Sequence, residues 1–150
     1  MNEDKESRSE TILIVDDVKM MRSVLRRALE RGGYGVIEAQ NGTDALQKLE
    51  QNHVSLMISD ILMPDMDGVE LTEQIRSSSP SSNIPILMCT GKADRDTVLQ
   101  LAQLEIQGYI VKPVDESVLL DKVRKVLADA PAAETEIPDA RSNAENDGEE

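Results

Sequence analysis

The chain has no tryptophan, no phenylalanine and only two tyrosines, so leucine, isoleucine, valine and methionine must fill whatever core it builds. A single cysteine, Cys89, excludes an internal disulfide. It closes the apolar run Ile84-Pro85-Ile86-Leu87-Met88-Cys89, where a thiol reads as a small buried side chain without chemistry. Histidine is as scarce: His53 stands alone before another apolar run and reads as an exposed loop residue rather than a ligand. No apolar run approaches the roughly 18 residues that a membrane span needs. Met1 to Glu10 is charged and lacks the core of a signal peptide, so no membrane insertion and a cytoplasmic location are expected. Positive charge is also short. The formal net charge is -13, and no aromatic residues interleave with basic ones, which argues against nucleic acid as a partner.

The charge is unevenly spread. Residues 129–150 hold eight acids and one arginine, and residues 1–10 hold four acids and two bases. Past Ala128 the composition turns to Ala, Glu, Pro, Asp, Asn and Gly without hydrophobic periodicity, too little apolar surface to offset the entropy of ordering. The expected organisation is a flexible N-terminus at 1–10, one domain at 11–128, and a disordered acidic tail at 129–150. A chain of 150 residues suits one domain with its own core better than two.

Within the domain, apolar runs alternate with helical periodicity. Thr11-Ile12-Leu13-Ile14-Val15 reads as a strand halted by Asp16-Asp17. Val18, Met21, Val24, Leu25, Ala28 and Leu29 then recur at helical spacing until Gly32-Gly33. Tyr34 to Ala39 is a weaker strand, and Asn41-Gly42 turns into a helix over Thr43 to Gln51 with Ala45, Leu46 and Leu49 inward. Val54 to Ser59 is a buried strand ending at Asp60. A helix follows over Gly68 to Ser77 with Val69, Leu71, Thr72 and Ile75 on one side. Ile84 to Cys89 is the fourth strand, Ala93 to Ile106 the fourth helix and Gly108 to Val111 the fifth strand. Asp115, an N-cap residue type, opens a last helix to Ala128 with Val118, Leu119, Val123, Val126 and Leu127 inward. Continuously apolar strands, each followed by a helix, imply an α/β fold: a doubly wound parallel sheet with helices on both faces.

In such a sheet the C-terminal strand tips share one edge, and ligands bind there where the strand order reverses. The tips carry Asp16-Asp17, Asp60, Thr90 and Lys112-Pro113. Three carboxylates about 5 Å apart repel by roughly 3 kcal/mol per pair at an effective dielectric near 20, so a cation is implied. Oxygen ligands with room for water and a phosphate suit Mg²⁺ (or Mn²⁺). A carboxylate beside a metal, a lysine and a threonine is what phosphoryl transfer requires. Taken singly, Asp16 or Asp17 could be a helix N-cap, Thr90 a loop residue, Tyr109 a core aromatic and Lys112 a solvated strand end. Gly91-Lys92 lacks the G-x-x-x-x-G-K-[ST] spacing of a phosphate-binding loop.

The ordered set Asp16-Asp17, Asp60 with Met63-Pro64-Asp65-Met66-Asp67-Gly68 behind it, Thr90, Tyr109 and Lys112-Pro113 resembles the receiver domain of two-component response regulators. The resemblance spans about residues 11 to 128. It implies the flavodoxin-like strand order 2-1-3-4-5 and phosphorylation of Asp60 by a sensor histidine kinase or histidine phosphotransfer protein. It implies also that Asp16, Asp17, Asp60 and the Leu62 backbone carbonyl hold Mg²⁺. Thr90 and Lys112 would contact the phosphoryl group, and Tyr109 would switch with Thr90. The Lys112-Pro113 bond is a candidate cis peptide, as X-Pro bonds allow, and the resemblance favours it. Leu62 stands where the best-known chemotaxis receivers carry a polar residue, and Lys92 where they carry an acid. Those two positions tune phosphoryl lifetime in the family.

The resemblance further implies a chemotaxis-like, single-domain switch with no DNA-binding output domain. It would act by binding an output protein through the face made by the fourth helix, fifth strand and fifth helix, and would not be a turnover enzyme. A phosphate sink or relay intermediate shares the same chemistry. An aspartyl-phosphate phosphatase of the haloacid-dehalogenase type is disfavoured, because it needs a second Asp two residues after the nucleophile, where this chain has Leu62.

Overall fold

In the computed structural model, which describes residues 10–78 and 82–129, the apolar runs form the strands β1 (Thr11–Val15), β2 (Gly35–Ala39), β3 (Leu56–Ser59), β4 (Ile86–Thr90) and β5 (Gly108–Val111). The periodic segments form the helices α1 (Lys19–Arg31), α2 (Gly42–Gln51), α3 (Gly68–Arg76), α4 (Arg95–Gln103) and α5 (Glu116–Asp129). The sheet order is β2-β1-β3-β4-β5 and every pairing is parallel. The doubly wound order expected from the resemblance is therefore the one observed.

Alternation along each strand divides the core in two. Leu13, Val15, Met57, Ile86 and Met88 face α2, α3 and α4, meeting Ala45, Leu49, Leu71, Ile75 and Leu101. Ile12, Ile14, Leu56, Ile58, Leu87, Cys89 and Ile110 face α1 and α5, meeting Leu25, Ala28, Leu29, Leu119 and Val123. With no Phe or Trp, aliphatic side chains close both layers, as composition requires.

Element ends follow local chemistry. Asn41, Asp67 and Asp94 are N-caps whose side chains accept from the amides of Asp44, Glu70 and Thr97 at 2.8, 2.9 and 2.8 Å. Asp115 likewise accepts from the Val118 amide at 3.1 Å. Helix α4 is shorter than the periodicity predicts, because Asp94 caps it at one end and Glu105 turns to φ 61° just past the other. Strand β4 starts at Ile86 rather than Ile84: Pro85 has no N–H, and the Ile86 amide donates to Gln107 Oε1 at 2.7 Å. It runs through Thr90. Val18, Val24 and Val118 are exposed, so three apolar positions that fit the helical period do not reach the core.

The Glu10 carbonyl accepts from the Gly35 amide at 2.9 Å, and α5 includes Asp129. The flexible N-terminus and disordered acidic tail expected from the sequence otherwise lie outside the described residues.

Arg76 ties the α3 end of the molecule together. Its guanidinium donates to the carbonyls of Leu104, Ser82, Ile84 and Glu105 at 2.7, 3.0, 2.7 and 3.0 Å. Leu71, fully buried in the α2/α3/α4 layer, measures how tightly that layer is packed. Leu71→Ala is expected to lower unfolding free energy by about 2–5 kcal/mol, read as a fall in the urea midpoint at unchanged slope.

Candidate functional site

Register assembles the site. Val15 pairs with Ser59, so Asp16 and Asp60 are the next residues out, and each is tied back to the neighbouring strand. The Asp60 amide donates to the Val15 carbonyl at 3.0 Å, and the Asp16 amide to the Ala39 carbonyl at 3.2 Å. Ile14, Ile58 and Ile110 lie in the α1/α5 layer. Two residues further along each chain, Asp16, Asp60 and Lys112 continue on that side. The Lys112 ammonium bridges them, 3.3 Å from Asp16 Oδ2 and 3.2 Å from Asp60 Oδ2. Asp17 completes the group: one carboxylate oxygen from each of Asp16, Asp17 and Asp60 lies within 4.8 Å of the others.

The remaining oxygens are fixed by backbone. Asp16 Oδ1 accepts from the Val18 amide at 2.9 Å and Asp60 Oδ1 from the Ile61 amide at 2.8 Å. Val18 itself is the N-cap of α1, so neither Asp16 nor Asp17 caps that helix. Gly68 permits the close approach of α3. Its amide donates to the Ile61 carbonyl at 2.7 Å, and a Cβ there would lie 2.5 Å from the Asp60 carbonyl oxygen.

Burial sets the electrostatics. Asp16 is 1% exposed and Asp60 8%. Desolvation raises the Asp16 pKa above its ordinary value, against the Val18 amide and Lys112, which favour the charged form. Burial opposes the Lys112 charge, but Asp16 and Asp60 outweigh it and hold the ammonium above the ordinary lysine value.

The donor set fits a hard divalent cation. Three carboxylates and one ammonium leave two formal negative charges in excess, and the ligand atoms are oxygens. Cys89 is close enough to feel both buried acids, yet burial pushes its thiol up to about 11, so it offers no thiolate. His53 is exposed at the far end of β3. The side chain of Leu62 points out, 71% exposed, in the loop that carries its carbonyl past Asp60. In that loop Asp65 adopts φ 71°, a left-handed conformation that Asp tolerates better than most residues.

Thr90 and Tyr109 belong to the other side of the sheet. The Thr90 hydroxyl donates to the Lys92 carbonyl at 3.0 Å and accepts from the Lys92 amide at 3.3 Å. Tyr109 is half-buried against the α2/α3/α4 layer, and its hydroxyl donates to the Val98 carbonyl of α4 at 3.5 Å. The Lys112 amide donates to the Thr90 carbonyl at 3.0 Å, and the Lys112-Pro113 bond is cis, as expected. One neighbour escaped the sequence reading. Arg22 Nη1 donates to the Asp16 carbonyl at 2.7 Å, and no motif signals a side chain that binds a main-chain oxygen.

Residues 12–124 match the family model described as the response regulator receiver domain. The chain is 36% identical over 116 residues to the chemotaxis protein CheY of Pseudomonas aeruginosa, covering 77% of this chain and 94% of that one. It is 37% identical over 118 residues to the chemotaxis protein CheY1 of Helicobacter pylori, with 77% and 95% covered. Among solved structures, a CheY-like receiver domain protein from Methanospirillum hungatei superposes with a TM-score of 0.77 at 31% identity, over 83% of this chain and 98% of that one. Chemotaxis protein CheY4 of Vibrio cholerae gives 0.75 at 30% identity, over 79% and 98%. No helix among the described residues is long and apolar enough to cross a membrane.

The raised Asp16 pKa fixes a sign. The folded state binds the Asp16 proton more tightly than the unfolded state, so ionisation of Asp16 costs stability once the pH passes the ordinary aspartate value of 3.8. With metal chelated, Asp16→Asn is expected to be more stable than wild type to urea at neutral pH. The gain should shrink as the pH falls below the ordinary aspartate range, where wild-type Asp16 is protonated in both states.

Proposed function

This chain belongs to the response regulator receiver family, and from that premise we propose that it is a phosphorylation switch charged at Asp60. Receivers of this kind are signalling switches rather than turnover enzymes. The observation that carries the reading is the Lys112 ammonium held between Asp16 and Asp60 at 3.3 and 3.2 Å, at the sheet edge where a third acid also converges. Its donor is a histidine kinase or histidine phosphotransfer protein, its place the cytoplasm, and its output a protein that binds the α4/β5/α5 face. A phosphate sink or relay intermediate remains the alternative with the same chemistry.

In the charging step a carboxylate oxygen of Asp60 attacks the phosphorus of a phosphohistidine. The O–P bond forms as the P–N bond breaks, and the imidazole leaves with the electron pair. Asp16, Asp17, Asp60 and the Leu62 carbonyl would hold Mg²⁺ (or Mn²⁺), whose charge would stabilise the phosphoryl oxygens. The Ile61 amide fixes the Asp60 carboxylate through Oδ1. Lys112, cationic at neutral pH, transfers its contact from the free carboxylate to the new phosphoryl oxygens.

The response runs through Thr90. Its hydroxyl is engaged with Lys92, and bonding a phosphoryl oxygen requires it to leave that turn and move toward Asp60. The space vacated lets Tyr109 give up Val98 and turn inward, which reshapes α4. One charged hydrogen bond plus the Lys112 contact is worth about 2–4 kcal/mol, enough to turn a minor conformation into the major one.

Incubated with Mg²⁺ and a small phosphodonor, the protein is expected to gain one acid-stable, alkali-labile phosphoryl group, measured by intact mass. Asp60→Asn should gain none, and undiminished labelling of that variant would refute the assignment. Thr90→Ala should still be charged on Asp60, yet show reduced NMR shift changes around Tyr109 and α4 on adding beryllofluoride. A full response from Thr90→Ala would move the coupling to Lys112 or the loop after Asp60.

A further inference from the structure

Two of the three clustered acids are consecutive, and what aims them is the turn between β1 and α1. Asp16 is pinned nearly everywhere. Its amide is on Ala39, one carboxylate oxygen is on Val18 and the other is on Lys112. Its carbonyl belongs to the peptide bond that leads into the exposed Asp17. That carbonyl accepts from Arg22 Nη1 at 2.7 Å, while Arg22 Nε donates to Glu38 Oε1 on β2 at 2.9 Å. Arg22 is mostly buried, its side chain 14% exposed. Glu38 is in turn held by Arg26, whose Nε donates to Glu38 Oε2 at 2.6 Å and whose Nη1 meets Glu30 at 2.8 Å. Arg26 and Arg22 keep Glu38 ionised by holding its pKa below the usual range.

We propose that Arg22 is a positioning residue for the metal-binding acids: its guanidinium fork fastens the Asp16 carbonyl, and so the turn that aims Asp17, to Glu38 on β2. The planar fork matters, because one side chain must serve a carbonyl and a carboxylate in different directions, which an ammonium does poorly. Groups behind the ligands commonly govern metal affinity in this way. The proposal rests on the Mg²⁺ reading given above.

Two other roles would leave different signatures. A purely structural Arg22 would change stability and leave metal affinity alone. A purely electrostatic Arg22, a positive charge beside a cation site, would weaken binding when present, so its removal would tighten it.

The experiment is an NMR titration of the Asp17 and Val18 amides with MgCl2 at constant ionic strength, on wild type, Arg22→Ala and Arg22→Lys. It is paired with urea unfolding with and without Mg²⁺. Arg22→Ala is expected to raise the Mg²⁺ Kd about tenfold and to shrink the stabilisation that Mg²⁺ gives by mass action. Arg22→Lys should fall between it and wild type, and decides the matter if the alanine variant does not fold. An unchanged Kd with lower metal-free stability, or a tighter Kd, overturns the proposal. Absence of Mg²⁺ binding in wild type would instead overturn the metal reading, and with it this one.

Discussion

Asp16 and Asp60 meet because β1 and β3 pair in parallel with Val15 opposite Ser59. In a parallel sheet every strand ends at the same edge, so this register decides which residues stand beyond it. A slip of one residue in β3 would send Asp60 to the α2/α3/α4 side and Ser59 to the position beside Asp16. The slip is resisted by the whole length of the strand, since Leu56 and Ile58 would exchange layers with Met57. Packing far from the site thus holds the carboxylates in place.

The edge so formed is an unfavourable place for charge, and neighbouring groups offset the cost only in part. Lys112 reaches both buried acids from β5, and two backbone amides satisfy their other oxygens. Asp16 is nevertheless still easier to protonate than an ordinary aspartate. Retaining an anion there works against stability, and the two aliphatic layers tolerate it. The same economy shows in the surroundings, where Gly68 allows α3 to press its first turn against the Asp60 carbonyl.

The sequence was most legible where a residue's position decides its environment. The tips Asp16-Asp17, Asp60, Thr90 and Lys112 are readable because each apolar run stops where parallel strands reach one edge, whereas the side of the sheet each takes, Lys112 with the acids and Tyr109 with the other layer, is seen only in the structure. Helical periodicity was a poorer guide at its margins. Val18 fits the apolar stripe of α1 but precedes the helix as its N-cap, and Val24 and Val118 sit at the edges of their stripes, in solvent. The ends of α4 and β4 depended on single groups, the Asp94 carboxylate and the missing N–H of Pro85. Arg22 and Arg76 could not be read at all. Arg76 acts on four main-chain carbonyls and Arg22 on the Asp16 carbonyl as well as the Glu38 carboxylate, and every residue has a carbonyl.

Cys89 lies within the electrostatic reach of Asp16 and Asp60, inside the α1/α5 layer and 1% exposed. A thiol attacks alkylating reagents as its thiolate, and this one is kept protonated to about 11. Neither reagent nor base reaches it while β4 is covered. The rate at which Cys89 is alkylated therefore serves as an intrinsic clock for opening of the central sheet, one that runs in an otherwise cysteine-free background and needs no engineered label.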